Sequence, residues 1–253
     1  RLPRSSPSPP PPLSSPAVTP ISHLAIPGHA WVEIDLGAIA ANARAYAART
    51  GCPLLPMVKA DAYGLGMMPV VGALEGTGPW GYGVATIREG EALRAAGITR
   101  PVLVLTPFTP FELEAYLRSD LRPTIADVEG LGAWAVTGKP FHLEVDTGMA
   151  RTGLAWDEPV SPQVQETLQG ALEGGAWEGV FTHLHSAERE DGSADVQRSR
   201  FATWLETVGA RPSLVHVANS AGGLAGVGPE ETLARPGYWL YGGEVRGERG
   251  RSV

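Results

Sequence analysis

Short apolar runs alternate with longer stretches of helical spacing along the chain from about residue 30 onward. Several of these runs are apolar at consecutive positions, which is typical of strands buried on both faces of a parallel sheet. Strands separated by helices indicate parallel pairing through crossover connections. The pattern predicts eight strands, at residues 54–59, 81–85, 102–105, 123–126, 141–146, 179–183, 213–217 and 233–240.

Four helices are predicted in the stretches around these strands, at residues 39–49, 88–96, 110–118 and 195–208. Gly97 is placed to end the second helix, Pro110 to begin the third and Asp195 to cap the fourth. Eight strand units in 253 residues favour an α/β fold of the (β/α)8 barrel (TIM barrel) type over an open doubly wound sheet. A barrel of this type takes about 250 residues.

The composition divides the chain into three parts. Residues 1–26 are rich in proline and serine and lack the apolar core of a secretory signal, so we expect a disordered leader. Residues 27–242 carry the alternating pattern of the barrel. Residues 243–253 are rich in glycine and arginine and are not expected to form a strand.

Charge and cysteine content narrow the classes of partner. The formal net charge of −7 is spread along the chain, which disfavours nucleic acid and anionic membrane as partners. The apolar runs are shorter than the roughly 20 residues of a membrane span. Cys52 is the single cysteine, so no internal disulfide can form, and we predict a cytoplasmic location.

The chemistry of such a barrel lies where its strands end. Lys59 ends the first strand, where burial would lower its pKa and make it a better nucleophile toward an aldehyde. A lysine that reaches solvent is the alternative. Tyr63 follows it in a segment with two glycines, which allow a ligand to approach the backbone closely. Glu144 and Arg151 flank the turn after the fifth strand, where a purely structural clamp is the alternative.

The sixth strand ends with His183 and His185, which alternate and therefore share a face. Two histidines on one face can ligate zinc, but no third ligand stands at a regular spacing, and we predict no metal. An imidazole that packs against a planar cofactor is the favoured interpretation.

The last two strands end in residues suited to phosphate. Asn219 and Ser220 follow the seventh strand, and Arg235, Gly237 and Tyr238 belong to the eighth. Phosphate frequently binds in these two loops of a barrel, and a hydroxyl and backbone N–H groups are suitable donors. A lysine together with a phosphate site indicates a phosphorylated aldehyde, which is what pyridoxal 5′-phosphate is.

Six segments carry a resemblance to a known family. AWVEIDLGAIAANA, VKADAYGLG, DTGMARTG, FTHLHSAE, HVANSAG and LARPGYWLYG resemble the alanine racemases in order and spacing, across residues 30–242. The resemblance implies a pyridoxal-phosphate enzyme that interconverts L- and D-alanine, supplies D-alanine for peptidoglycan, and works as a homodimer.

The resemblance also implies roles for the strand-end residues. Lys59 is similar to the lysine that forms the Schiff base and moves a proton. Arg151 is similar to the arginine near the cofactor's phenolic oxygen and the substrate carboxylate. His183 would pack by the pyridine ring, and Arg235 would face the pyridine nitrogen. The other cofactor contacts, most of them to phosphate, would be Tyr63, Asn219, Ser220, Gly237 and Tyr238.

The chain departs from the family at several points. Glu144 stands where the family often has a lysine, frequently carbamylated, and this shorter anion is expected to orient Arg151 less well. His185 replaces a small residue, and MARTG replaces the usual MGR pattern. Family members continue into a β-rich domain that supplies a tyrosine as the second base, and racemisation needs two. Residues 243–253 do not resemble that continuation, so we expect weak cofactor binding and slow proton exchange.

Three alternatives remain at the level of the sequence. The first is a non-enzymatic barrel that carries pyridoxal phosphate. The second is a racemase of another amino acid, such as serine. The third is an inactive gene remnant.

Overall fold

A ring of parallel strands surrounded by helices forms the centre of the computed structural model, which describes residues 32–253. Six strands pair in the order β1-β2-β3-β4-β6-β7, and the short β5 pairs with β4. The strands are β1 (Tyr82–Val84), β2 (Val102–Pro107), β3 (Arg122–Ile125), β4 (Phe141–Asp146), β5 (Leu154–Ala155), β6 (Trp177–Phe181) and β7 (Leu214–His216).

Two extended segments, residues 54–58 and 233–236, close this sheet into a barrel. The backbone N–H of Val58 donates to the carbonyl of Gly83 in β1 at 2.8 Å. The backbone N–H of Leu55 donates to the carbonyl of Ala234 at 2.8 Å. The backbone N–H of Leu233 donates to the carbonyl of Val215 in β7 at 3.2 Å. Residues 54–58 form two β-bridges, Leu54 with Ala234 and Met57 with Gly83, and both are parallel. The predicted (β/α)8 fold is therefore confirmed, with eight parallel positions around the ring.

Helices pack around the ring and are capped by local side chains. Asp35 begins α1 by accepting from the backbone N–H of Ala38 at 2.9 Å, and Gly51 ends it with a φ of 67°. The helical elements are α1 (Leu36–Thr50), α2 (Lys59–Gly64), α3 (Met67–Glu75), α4 (Ile87–Ala95), α5 (Leu113–Arg118), α6 (Val128–Ala135), α7 (Pro162–Glu173), α8 (Ser193–Val208) and α9 (Ser220–Ala225). Among residues 32–253, no helix is both long and apolar enough to cross a bilayer.

The hydrophobic core has two parts. The larger part lies between the ring and the helices and includes the fully buried Trp134, Trp177 and Trp204. The smaller part comprises Leu55, Met57, Leu103 and Leu233, with partly buried residues packed against it. Burial of each large apolar side chain contributes about 1.5–3 kcal/mol.

Two predicted strands extend two or more residues beyond the observed ones, and one predicted cap lies in the wrong place. The eighth strand stops at residue 236, because a 3-10 helix (Tyr238–Tyr241) follows. The sixth strand ends at Phe181, so His183 lies just beyond it. Helix α8 begins two residues before Asp195, with Gly192 as its N-cap.

The expectation that residues 243–253 contain no strand was also wrong. They form an antiparallel hairpin of β8 (Glu244–Val245) and β9 (Glu248–Arg249). Its two-residue turn is Arg246–Gly247, with φ of 53° and 73°. Positive φ at both positions matches the twist of a two-residue hairpin, which explains why an Arg–Gly pair can fold here. The predicted leader, residues 1–26, lies outside the described residues.

Candidate active site

A cavity of about 770 Å³ opens at the carboxyl ends of the barrel strands. Its size lies within the range of small-molecule sites. The structure brings together on its wall all nine residues that the sequence nominated, although they come from five different strand ends. They are Lys59, Tyr63, Arg151, His183, Asn219, Ser220, Arg235, Gly237 and Tyr238.

Lys59 lies at the end of the first barrel segment and opens the helical turn α2. Burial lowers the pKa of Lys59, and the positive charges of Arg151 and Arg235 lower it further. A larger fraction of the amine is therefore neutral and nucleophilic near pH 7 than for a lysine in water.

The turn after Lys59 has an unusual backbone. Ala60, Asp61, Ala62 and Tyr63 all have φ between 52° and 58°, so four consecutive non-glycine residues of α2 form a left-handed turn. Each such residue costs on the order of 1–2 kcal/mol. The surroundings must hold this turn, because strain of this kind persists only where the rest of the structure imposes it.

Gly237 and Ser220 both line the cavity and are joined by a hydrogen bond. The hydroxyl of Ser220 accepts from the backbone N–H groups of Gly237 at 3.0 Å and Trp239 at 3.2 Å, which leaves its own proton to donate. A Cβ at Gly237 would lie 2.3 Å from the hydroxyl of Tyr63 and 3.2 Å from Cβ of Met57. Only glycine therefore fits between these side chains.

Asn219 lines the cavity, but its side chain forms hydrogen bonds to the protein backbone. Its amide oxygen accepts from the backbone N–H of Gly222 at 2.9 Å and so caps helix α9. Its amide nitrogen donates to the carbonyl of Leu184 at 3.0 Å. Asn219 thus fixes the loop that presents Ser220 to the cavity.

Arg235 is a buried cation on the wall of the cavity. Its guanidinium donates to Nδ1 of His216 at 2.8 Å, to the carbonyl of His216, and to that of Thr182 at 2.8 Å. It also lies 4.8 Å above the ring of Phe181. Burial lowers the pKa of Arg235 to about 10, so it remains a cation at neutral pH.

A line of hydrogen-bonded side chains continues from Arg235 through the barrel interior. Nε2 of His216 lies 2.7 Å from Nδ1 of His142, and Nε2 of His142 lies 3.2 Å from a carboxylate oxygen of Glu178. Arg122 donates to the same carboxylate oxygen at 3.3 Å. Burial lowers the pKa of both histidines, so both are neutral.

Glu144 lines the cavity and is almost fully buried, with 3% of its surface exposed. Its carboxylate accepts from the hydroxyl of Thr152 at 2.7 Å and lies 4.0 Å from the guanidinium of Arg151. Burial raises the pKa of Glu144, although Thr152 and Arg151 oppose this shift. The carboxylate is thus held near Arg151, and its neighbours offset only part of its loss of water.

The two histidines after β6 differ in environment. His183 lines the cavity, and burial together with Arg235 and Arg151 lowers its pKa to about 3, so it is a neutral imidazole. His185 is exposed, and its Nδ1 lies 2.7 Å from the hydroxyl of Ser186. Within residues 32–253, no group of three potential metal ligands was found.

Sequence reasoning missed two sets of residues at this site. The first set lines the cavity from the hairpin and the loop before α8: Glu188, Glu244, Val245 and Arg246. Arg246 of the hairpin contacts the loop before α8 through an ion pair with Glu190 at 2.9 Å and a hydrogen bond to the carbonyl of Ala187 at 3.1 Å. The second set is the buried polar line of His142, His216 and Glu178. Polar residues within otherwise apolar strands were the signal for it.

Cys52 is a structural residue. Its side chain is buried, and its thiol contacts the carbonyl of Glu231 at 3.5 Å. Burial raises the pKa of the thiol, which makes it a poor nucleophile.

Comparison with known sequences identifies one family. The sequence model described as alanine racemase, N-terminal domain, matches residues 34–245. The alanine racemase of Acidiphilium cryptum is 38% identical over 227 residues, which are 85% of this chain and 60% of that protein. That of Deinococcus radiodurans is 40% identical over 221 residues, 84% of this chain and 59% of that protein. The chain thus spans about 60% of the length of the curated relatives it matches.

Solved structures agree with the sequence relatives. Alanine racemase from E. faecalis superposes with a TM-score of 0.75 at 30% identity, covering 87% of this chain and 63% of that one. Alanine racemase from Bartonella henselae, with covalently bound pyridoxal phosphate, has a TM-score of 0.73 at 27% identity. The superposition covers 85% of this chain and 64% of the Bartonella henselae chain.

Proposed function

This chain belongs to the family of the alanine racemase N-terminal domain, and from that membership we propose that it is the cofactor-binding part of an alanine racemase. The proposed reaction interconverts L- and D-alanine with pyridoxal 5′-phosphate bound at Lys59. The observation that carries the proposal is this lysine, whose pKa is lowered in a cavity that also contains the hydroxyl of Ser220 and the buried Arg235.

The residues of the cavity fit pyridoxal phosphate. Lys59 offers an amine to the aldehyde. The hydroxyl of Ser220, whose own proton is left to donate, offers a contact for the phosphate, and Gly237 lets Tyr63 lie close beside it. His183 offers a neutral imidazole to the ring. When bound, the cofactor supplies an electron-withdrawing ring that acidifies the α-proton of an amino acid.

The other residues would bind and orient. We assign phosphate contacts to Tyr63, Ser220, Gly237 and Tyr238, and assign Asn219 to holding this loop. Arg151 would bind the substrate carboxylate and the phenolic oxygen. Arg235 would face the ring nitrogen. Because a guanidinium donates and does not readily release its proton, Arg235 would leave that nitrogen unprotonated.

Proton transfer needs two groups on opposite faces of the substrate carbon. Lys59 serves one face, and we propose that the second group comes from outside the described residues, in a homodimer. The proposed barrel domain comprises residues 27–242. A cytoplasmic protein that supplies D-alanine for peptidoglycan is the proposed setting.

The test uses the fact that the chain contains two lysines, Lys59 and Lys139. Pyridoxal phosphate is added, the visible absorbance is recorded, and borohydride reduction is followed by peptide mapping. The label is expected on Lys59. Lys59→Ala should abolish the absorbance change, and the matched variant Lys139→Arg should retain it. Label on Lys139 alone, or no absorbance change, would overturn the proposal.

Turnover is tested by exchange of the α-proton of alanine in deuterated water. With one group on one face, the cofactor-loaded chain is expected to exchange one enantiomer faster than the other. No exchange with alanine would favour a cofactor carrier, and faster exchange with serine would change the substrate. Nothing in the cavity favours either alternative over alanine.

A further inference from the structure

The carboxylate of Glu89 joins two features that are distant in sequence, the turn after Lys59 and the start of helix α4. One oxygen accepts from the backbone N–H of Ala60 at 2.7 Å. The other accepts from the backbone N–H groups of Ala85 at 2.7 Å and Thr86 at 3.0 Å. Three N–H donors on one carboxylate hold it in a single orientation, since bonds to an ionised acceptor are strong.

Helix capping explains only part of this arrangement. In the capping box of α4, the hydroxyl of Thr86 accepts from the backbone N–H of Glu89 at 3.3 Å, and the carboxylate bonds back to Thr86. The helix requires nothing from residue 60. The bond to Ala60, 29 positions away, is therefore additional to the cap.

The segment that receives this bond is the strained one. Ala60 is the first of four consecutive non-glycine residues in the left-handed region, and it directly follows Lys59. A strained turn keeps its shape only where neighbours restrain it. The bond from Ala60 to Glu89 restrains the turn at the residue that determines how the backbone leaves Lys59.

We propose that Glu89 is a positioning residue for Lys59. It fixes the backbone immediately after this lysine, and so the direction in which the amine enters the cavity, while its negative charge acts on that amine. The inference deepens the proposed function and depends on it for its role in cofactor binding. The charges agree: burial, Arg151 and Arg235 lower the pKa of Lys59, and Glu89 opposes them.

The first test reads Lys59 without any cofactor. Lysine labelled with carbon-13 at the ε position gives two signals, because the chain has two lysines, and Lys139→Arg assigns them. Glu89→Gln, which removes the charge, is expected to lower the apparent pKa of Lys59 by about half a pH unit or more. Thr86→Val removes the hydroxyl half of the cap and keeps the charge, so the Lys59 titration should match the wild type.

The second test reads the direction of the amine. Glu89→Asp keeps the charge but is one methylene shorter, so it should lose the reach to Ala60. Formation of the covalent adduct with pyridoxal phosphate should slow by about tenfold or more, since misplacing a reacting group by about 1 Å can cost a hundredfold. Thr86→Val should stay within about twofold of the wild type. Circular dichroism checks that each variant is folded. If Glu89→Gln does not fold, the test rests on Glu89→Asp.

Two outcomes would overturn the inference. In one, Glu89→Gln leaves the Lys59 titration unchanged. In the other, Thr86→Val moves the titration or the adduct rate as much as the Glu89 variants do, which would reduce Glu89 to a helix cap. If the titration responds as expected but the wild type takes up no pyridoxal phosphate, the positioning of Lys59 stands and the proposed function fails.

Discussion

Nδ1 of His216 accepts a hydrogen bond from the guanidinium of Arg235 at 2.8 Å, and this contact fixes the tautomer of the imidazole. Because arginine only donates, Nδ1 is unprotonated and Nε2 carries the proton. Nε2 then donates to Nδ1 of His142, and Nε2 of His142 donates to Glu178. All the hydrogen bonds in this line therefore point the same way, from the guanidinium of Arg235 at the cavity to the carboxylate of Glu178 at the opposite end.

We expect both histidines to be neutral and protonated on Nε2, which nitrogen-15 NMR of labelled histidine measures directly. Glu178→Gln keeps an acceptor oxygen and should preserve both tautomers. Glu178→Leu leaves the N–H of His142 and the guanidinium of Arg122 without this acceptor, and should lower the free energy of unfolding by about 2–3 kcal/mol. An Nδ1–H signal from His216 in the wild type would contradict the assignment.

Buried neutral histidines also make stability depend on pH. Histidine has an ordinary pKa of 6.5, and burial, Arg235 and Arg151 lower the pKa of His183 to about 3. Between these values the unfolded chain binds a proton that the folded chain does not. The contribution of His183 to the free energy of unfolding should therefore be fully present above pH 6.5 and should be lost as the pH falls toward 3. His142 and His216 act in the same direction, since burial lowers their pKa too.

Urea unfolding at several pH values checks this dependence. His183→Gln removes one titrating group and should flatten the slope below pH 6.5 by up to about 1.4 kcal/mol per pH unit. Equal slopes for the wild type and His183→Gln would show that His183 is not held neutral by the fold.

The sequence predicted the barrel and many of the polar residues on the cavity wall, because both depend on local signals. Apolar runs identify buried parallel strands, and the residue at a strand end lies on one rim of the barrel. Lys59, Arg151 and Ser220 were found by this rule although they are far apart in the chain. Strand ends were less accurate, since the 3-10 helix at Tyr238–Tyr241 has the composition of a strand.

The rest depends on contacts that a sequence does not display. The bond between Ala60 and Glu89 joins two loops, and the line from Arg235 to Glu178 crosses the barrel interior. The hairpin turn at Arg246–Gly247 was missed because Arg at a positive φ is rare, although Gly247 was a usable signal. In the first two cases a partner distant in sequence determines the conformation.

Gly237→Ala should weaken cofactor binding, because its Cβ would lie 2.3 Å from the hydroxyl of Tyr63. Relief of this overlap requires a shift of backbone or tyrosine, and overpacking of this kind costs about 1–3 kcal/mol. We expect at least a tenfold loss of pyridoxal phosphate affinity, read from a titration of visible absorbance. Gly132→Ala is the control, since nothing lies within 4 Å of its Cβ and alanine favours its helix. Equal affinity of the two variants would place the phosphate elsewhere.

Glu144→Gln should change stability and substrate binding in opposite directions. Burial raises the pKa of Glu144, so the ionised carboxylate costs stability at neutral pH, and a neutral amide that still accepts from Thr152 should raise the free energy of unfolding by about 1 kcal/mol. Arg151 loses the charge 4.0 Å away that orients it, so alanine should bind the cofactor-loaded chain about three- to tenfold more weakly. Urea unfolding and an absorbance titration with alanine measure the two effects. Thr152→Val keeps the charge and should affect alanine binding less. A less stable Glu144→Gln variant would mean that Arg151 compensates the buried charge and that the carboxylate serves the fold.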